Sequence, residues 1–242
     1  AAWDNGNVLS VHAEGDTVHE ILDIVRVNGQ PTHFLHISTV EEINYLTAAK
    51  EEGLPVTIGV CPHHLWLTQD DLSTLGALGL MKPELKTKAD RDALWKALQS
   101  GVVDVVESDH APHTLEEKQS DNPPYGVPGL ETTLPLLCTA VHEGRLTIER
   151  VVELVSTNPR RIFGLPAPAD TYTIVDLEAE YVIERDQLHT QCGWSPFEGM
   201  KVRGKVRETW IRGTQVYDGE NVLIDEGFGK NLYGKHGIYT GN

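Results

Sequence analysis

Hydrophobic and polar positions follow two textures along the chain. Through the first 165 residues or so, short apolar runs alternate with amphipathic stretches of helical period. "NVLSVHA" is followed by "TVHEILDIVRV", "THFLHIS" by "TVEEINYLTAAKEEG", and "LPVTIGV" by a polar, turn-rich segment. "KADRDALWKALQSG" then predicts a helix with Leu94, Trp95 and Leu98 on one face, leading into the apolar run Val102 to Val106. Runs this rich in β-branched residues and this poor in alternation fit strands buried on both faces of a parallel sheet. Four successive βα units therefore predict an α/β fold with helical crossovers.

A loop rich in Pro and Gly spans 114 to 129, and "LETTLPLLCTAVHEG" and "TIERVVELVSTNP" predict two more helices, the second stopped by Asn158 and Pro159. From about Pro166 the texture changes to short alternating strands with turns, in "TYTIVDL", "KVRGKVRETWIRG" and "TQVYDGENVLI". The expected division is an α/β part over 1–166 and a small β module with a glycine-rich tail over 167–242.

Composition sharpens this picture. With 40% hydrophobic and 23% charged residues in 242, the chain has the makeup of a globular protein with a sizeable core, and no run approaches a membrane span. A net charge of -16 argues against a nucleic-acid surface. An anionic small substrate would need local cations. Cys61, Cys138 and Cys192 are far apart and form no CxxC pair, which suits a reducing cytoplasm. The eleven histidines stand out and direct attention to a histidine-rich metal site.

"DVVESDHAPHTLEEK" places Asp109, His110 and His113 where a buried strand ends. His12 and His36 fall near the carboxyl ends of the first two strands, on the same rim. Strand parity turns His33 and His36 to opposite faces and favours His36 as the ligand. Two imidazoles and a carboxylate on one rim suit Zn²⁺ with an open position for water. Each residue alone also has a plain reading: Asp109 capping a turn, a histidine hydrogen-bonded in the core. His63 and His64, just past the third strand, fit supporting packing, and His19, His142, His189 and His236 fit solvated positions.

Taken together, "VHAEG", "HFLHIS", "CPHHLWLT", "MKPELKTKADRDALWKAL", "SDHAPHTLEEK", "PGLETTLPLL", "NPRRIFGL" and "WSPFEGMKVRGKV" resemble the dihydroorotases of the amidohydrolase superfamily over nearly the whole chain. The resemblance is to the type found in the animal multifunctional pyrimidine enzyme. It implies a TIM-type (β/α)8 barrel followed by a β-sandwich, and a zinc-dependent cyclisation of N-carbamoyl-L-aspartate to L-dihydroorotate. It further implies that His12 and His36 hold one zinc, and that Asp109 binds the other and serves as general base and acid. His113, and the backbone at Tyr125 and Gly126, would contact substrate, although a member of the family carries Pro where Tyr125 stands. Lys82 stands where an arginine usually grips the substrate carboxylate. That exchange keeps the charge and loses the bidentate fork.

The family's HxH pair, and the carboxylated lysine that bridges its two zinc ions, have no counterpart in the chain. Four absent βα units of about 30 residues each, from a barrel of ~250, imply a carboxyl-terminal part of a longer enzyme, inactive and metal-poor by itself. Aspartate transcarbamoylase as a partner and a homo-oligomer are expected from the same resemblance. A hydantoinase or allantoinase, and a degenerate scaffold that binds a partner enzyme, remain the alternatives.

Overall fold

A computed structural model describes residues 7–231. Strands β1 (Leu9–Val11), β2 (Thr32–Phe34), β3 (Val56–Val60) and β4 (Val105–Val106) form one parallel sheet in the order β1-β2-β3-β4. The sheet is open, with β1 and β4 as its edges among the described residues. Helices α1 (Asp16–Asn28) and α2 (Val40–Glu51) are the first two crossovers. Their inward stripes bury Val18, Leu22 and Val25, and Ile43, Leu46 and Ala49, against Phe34, Ile58 and Val60 of the sheet. Each fully buried leucine contributes on the order of 1.5–3 kcal/mol through area removed from water.

Local signals set the helix limits. Thr39 and Glu42 close a reciprocal capping box at the start of α2, and Gly29 ends α1 in the left-handed region at φ 69°. The turn-rich segment after β3 contains more helix than its polarity predicts. It folds into α3 (Pro62–Trp66), α4 (Leu72–Leu75) and two short 3₁₀ turns before α5 (Lys88–Ser100). Thr87 and Asp90 cap α5, whose buried residues include Leu94, Trp95 and Leu98, as the helical period predicts.

Three expectations need correction. The strand before Asp109 is not Val102 to Val106, because Val102 and Val103 are bonded back to Ala97 of α5. Pairing with β3 starts at Asp104, whose amide donates to Ile58 and whose carboxylate accepts from the Ile58 amide (2.8 Å) and from Lys50 Nζ (2.5 Å). Nor do Asn158 and Pro159 stop the helix. After α6 (Leu115–Lys118) and α7 (Leu130–His142), helix α8 (Ile148–Val152) passes through a π turn (Glu153–Thr157) into α9 (Asn158–Phe163). There Pro159 sits in the first turn, where its missing N–H costs no hydrogen bond.

The third correction is strand length in the second part. β5 (Tyr172–Val182) and β6 (Lys201–Ile211) have eleven residues each, joined by β7 (Thr214–Tyr217) in a three-stranded antiparallel sheet of order β5-β6-β7. Register shifts within β5–β6 bend this pair. The sheet docks on α7: Leu136 packs with Ile183, Phe197 and Val202, and the Arg203 amide donates to Thr139 Oγ1 at 2.8 Å. Gly204, at φ 92°, lies so close to Cys138 that a Cβ there would collide with it. His236 and most of the glycine-rich tail lie outside the described residues.

Candidate active site

His12 and His36 both follow the carboxyl ends of their strands. His12 Nδ1 lies 2.8 Å from His36 Nε2, and the rings meet edge to face. His12 Nε2 stands 3.5 Å from Glu14 Oε1. Burial keeps the His36 imidazole neutral, lowering its pKa. Asp109 opposes that shift, His12 adds to it and Glu107 opposes it.

Strand parity does not extend to His36, for a simple reason. β2 ends at Phe34, and His36 is turned by a left-handed backbone at φ 40°. His33, inside the strand, is fully buried, with Nδ1 2.8 Å from Thr57 Oγ1 and Nε2 3.3 Å from Glu107 Oε2. The other oxygen of Glu107 accepts from the His36 backbone N–H at 2.5 Å. One carboxylate thus braces both histidine positions.

Asp109 follows β4 and also takes a left-handed turn, at φ 43°. Partial burial raises its pKa; His36 opposes this, Glu107 adds to it and His12 opposes it, so Asp109 lies within electrostatic reach of the imidazole pair. The segment after it is zipped to a second loop. His110 bridges to Val127, the Ala111 amide donates to the Val127 carbonyl at 3.1 Å, and the Gly129 amide donates to His110 Nδ1 at 3.1 Å.

This zipper brings the four remaining candidate residues together. His113 Nε2 lies 3.1 Å from the Tyr125 carbonyl, and Lys82 Nζ stands 4.9 Å from the centre of the half-exposed Tyr125 ring. Gly126, at φ 129°, comes so close that a Cβ would lie 2.8 Å from Cβ of Ala111. Lys118 ties the loop from beneath: fully buried, it donates to the carbonyls of Leu80, Pro124 and Gly126 at 2.9, 2.8 and 3.1 Å. Trp194 Nε1 donates to the His113 carbonyl at 2.7 Å, so the chain preceding β6 reaches back to this loop.

Glu107, Lys118 and Trp194 carry functional geometry that the pattern of the sequence did not single out. Glu107 had one available signal, an acid two residues before Asp109 in an otherwise apolar run. For Lys118 and Trp194 the signal is burial, which a sequence does not display.

The donor set can be tested for fit to a metal. Two nitrogens bound to one tetrahedral ion at ~2.0–2.1 Å would stand roughly 3.3 Å apart. The His12–His36 pair is within about half an ångström of that, and burial favours the neutral, ligating form of His36. His12, His36 and Asp109 do not gather into a single three-donor group; among the described residues Cys61, His63 and His64 do.

No protein-family model matches the chain. It is 46% identical over 231 residues to the Multifunctional protein CAD of Squalus acanthias, spanning 95% of this chain and 10% of that protein. It is 40% identical over 233 residues to the dihydroorotase of Pyrococcus furiosus, spanning 93% of this chain and 54% of that one. The chain thus spans about half the length, or less, of these relatives. Among solved structures, the L-hydantoinase of Arthrobacter aurescens superposes with a TM-score of 0.88 at 27% identity, over 93% of this chain and 60% of that one. The inactive dihydroorotase-like domain of a Chaetomium thermophilum CAD-like multifunctional protein superposes with a TM-score of 0.74 at 27% identity, over 89% of this chain and 60% of that one. The parallel α/β architecture, the strand-end chemistry and these likenesses converge: the chain is similar to dihydroorotases in sequence and to a hydantoinase in fold.

Proposed function

We propose that the chain carries part of the active site of a zinc-dependent dihydroorotase, which interconverts L-dihydroorotate and N-carbamoyl-L-aspartate in pyrimidine biosynthesis. The reading is supported by Asp109, which lies within electrostatic reach of the His12–His36 pair and directly precedes the bridge from His110 to Val127, in a chain 40% identical to a curated dihydroorotase. His12 and His36 would hold one zinc ion and Asp109 a second. Zinc in such a site supplies Lewis acidity, polarising an amide carbonyl and making water acidic near neutral pH.

The chain's own groups supply the proton transfers and the orientation. In ring opening, a C–O bond forms between water and the ring carbonyl carbon while the C–N bond breaks. Asp109 accepts the water proton and delivers it to the leaving nitrogen, and cyclisation reverses the order. Its raised pKa brings the carboxyl closer to the range in which it can both take and return a proton. The Lys82 ammonium and His113 would bind the substrate carboxylate, and the backbone at Tyr125 and Gly126 the ring amide. A net charge of -16 makes such local cations necessary for an anionic ligand. Assembly with aspartate transcarbamoylase, homo-oligomerisation and a reducing cytoplasmic setting for the three free cysteines belong to the same reading.

The test is ring opening of dihydroorotate, hydantoin and allantoin by the full-length polypeptide, with the zinc content measured. Turnover of dihydroorotate above the other two supports the proposal, and preference for hydantoin transfers the site to the hydantoinases. A second reading, a catalytically degenerate scaffold, is favoured by Lys82 in the arginine position and by the inactive structural neighbour. It predicts zinc-poor protein with no turnover of any of the three.

A further inference from the structure

The chain leaves β3 through Cys61-Pro62-His63-His64, and Cys61, His63 and His64 are all buried, with exposures of 0, 2 and 3%. One donor atom from each lies within 4.8 Å of the other two. Buried imidazole nitrogens ordinarily have hydrogen-bond partners, because an unpaired one forfeits its hydration. His63 Nε2 and His64 Nδ1 have none. The two rings pack edge to face with centroids 4.4 Å apart, so neither nitrogen is left open by a ring turned out to solvent.

His64 is held in the state a ligand requires. Its Nε2 lies 2.9 Å from the Pro83 carbonyl, an acceptor only, so Nε2 carries the proton and Nδ1 presents a lone pair. Metal-ligating histidines are commonly fixed in this way, donating the second ring N–H to a backbone carbonyl. The charge of the surroundings also favours a cation. Burial is the largest influence pushing the Cys61 thiol pKa up, and Glu107 and Asp109 add to it through space. A thiolate in that field needs a positive ion beside it.

We propose that Cys61, His63 and His64 form a zinc site of their own, one thiolate and two imidazoles with water in the fourth position, separate from the donors His12, His36 and Asp109. One sulfur and two nitrogen donors suit a borderline-soft ion such as Zn²⁺ better than Mg²⁺ or Ca²⁺. Binding releases the Cys61 thiol proton to solvent and joins the end of β3 to the first turn of α3. The site would tie down the segment next to His36 whether or not the chain turns over dihydroorotate.

X-ray absorption at the zinc edge of the zinc-loaded full-length polypeptide tests this directly. Sulfur donates to zinc at ~2.3 Å, well separated from nitrogen and oxygen at ~2.0–2.2 Å. The wild-type protein should show a sulfur contribution that disappears in Cys61→Ser and persists when Cys138 and Cys192 are both changed to serine. His63→Gln and His64→Gln should each lower the zinc bound per chain. Purely nitrogen and oxygen ligation in the wild type overturns the proposal, as does a sulfur contribution that survives Cys61→Ser. If Cys61→Ser fails to fold, the Cys138→Ser/Cys192→Ser protein decides: retained sulfur supports the site and lost sulfur removes it.

Discussion

The carboxylate of Glu107 fills the space in which a side chain on Gly59 would begin, since a Cβ built on Gly59 falls 2.6 Å from Cδ of Glu107. Gly59 lies on β3 and Glu107 directly follows the neighbouring β4, and the absent side chain on the one admits the carboxylate of the other to the His36 amide and the His33 ring. Gly59→Ala should therefore destabilise the protein by about 1–3 kcal/mol by overpacking. In a Glu107→Ala background the same change should cost far less, because the group it strikes is gone. Urea unfolding of the four proteins of this double-mutant cycle measures the coupling, and additive effects would show that the two residues do not share the space.

Asp109→Asn should leave the fold intact and lower turnover by at least ~10²-fold in both directions, because the amide keeps the shape and cannot accept the proton. Rates of ring opening and closure, with circular dichroism as the control for folding, check it. Near-normal rates would take Asp109 out of the mechanism.

The order of strands and helices was legible because each βα unit carries its own period and caps: Thr39 with Glu42, Thr87 with Asp90, Gly29 after α1. The rim was legible as well, since His12, His36 and Asp109 follow apolar runs whose ends can be counted. Legibility stopped where tertiary contact overrides local pattern. Parity could not predict the left-handed turn at His36, and the strand-like Val102–Val103 is claimed by the end of α5. Pro159 reads as a stop only if the helix before it is regular; the π turn at Glu153–Thr157 gives it a first-turn position instead. Lys118 reads as one more surface charge in "LEEK" until three carbonyls are found around its ammonium.

That ammonium gives a pH signature. Burial lowers the Lys118 pKa to about 8 from its ordinary 10.5, so the folded protein gives up this proton at lower pH than the unfolded chain does. Between those values the unfolded state binds more protons. The stability of the wild type relative to Lys118→Met should therefore rise with pH across that window, by at most about 1.4 kcal/mol per pH unit, and flatten below it. Near pH 7 the same variant should be destabilised by roughly 2–3 kcal/mol, because three carbonyls lose their donor. Unfolding free energies at several pH values test both; a pH-independent difference would mean that Lys118 does not titrate in the window.

Trp194→Phe removes the indole N–H that meets the His113 carbonyl at 2.7 Å and leaves the ring volume largely filled. The expected cost is about 1–2 kcal/mol of stability, for a buried acceptor left unpaired. If His113 contacts substrate, the variant should also raise KM more than it lowers kcat. An unchanged KM with lowered stability would confine Trp194 to packing.

Lys82→Arg tests the cationic end of the proposed substrate site. Lys82 is exposed, and its Nζ stands 4.9 Å from the Tyr125 ring centre, a contact that a guanidinium can also make by stacking. Arginine adds what the ammonium lacks, a planar fork that donates two parallel hydrogen bonds to one carboxylate. If position 82 holds the substrate carboxylate equally in the ground and transition states, the gain appears in KM and leaves kcat nearly unchanged. A gain of about 1 kcal/mol corresponds to a KM roughly fivefold lower for carbamoyl aspartate. Lys82→Met should move KM in the opposite direction, and raising the salt concentration should narrow the spread between the variants, because the site is open to solvent. Equal KM values for lysine, arginine and methionine would show that residue 82 does not touch the substrate.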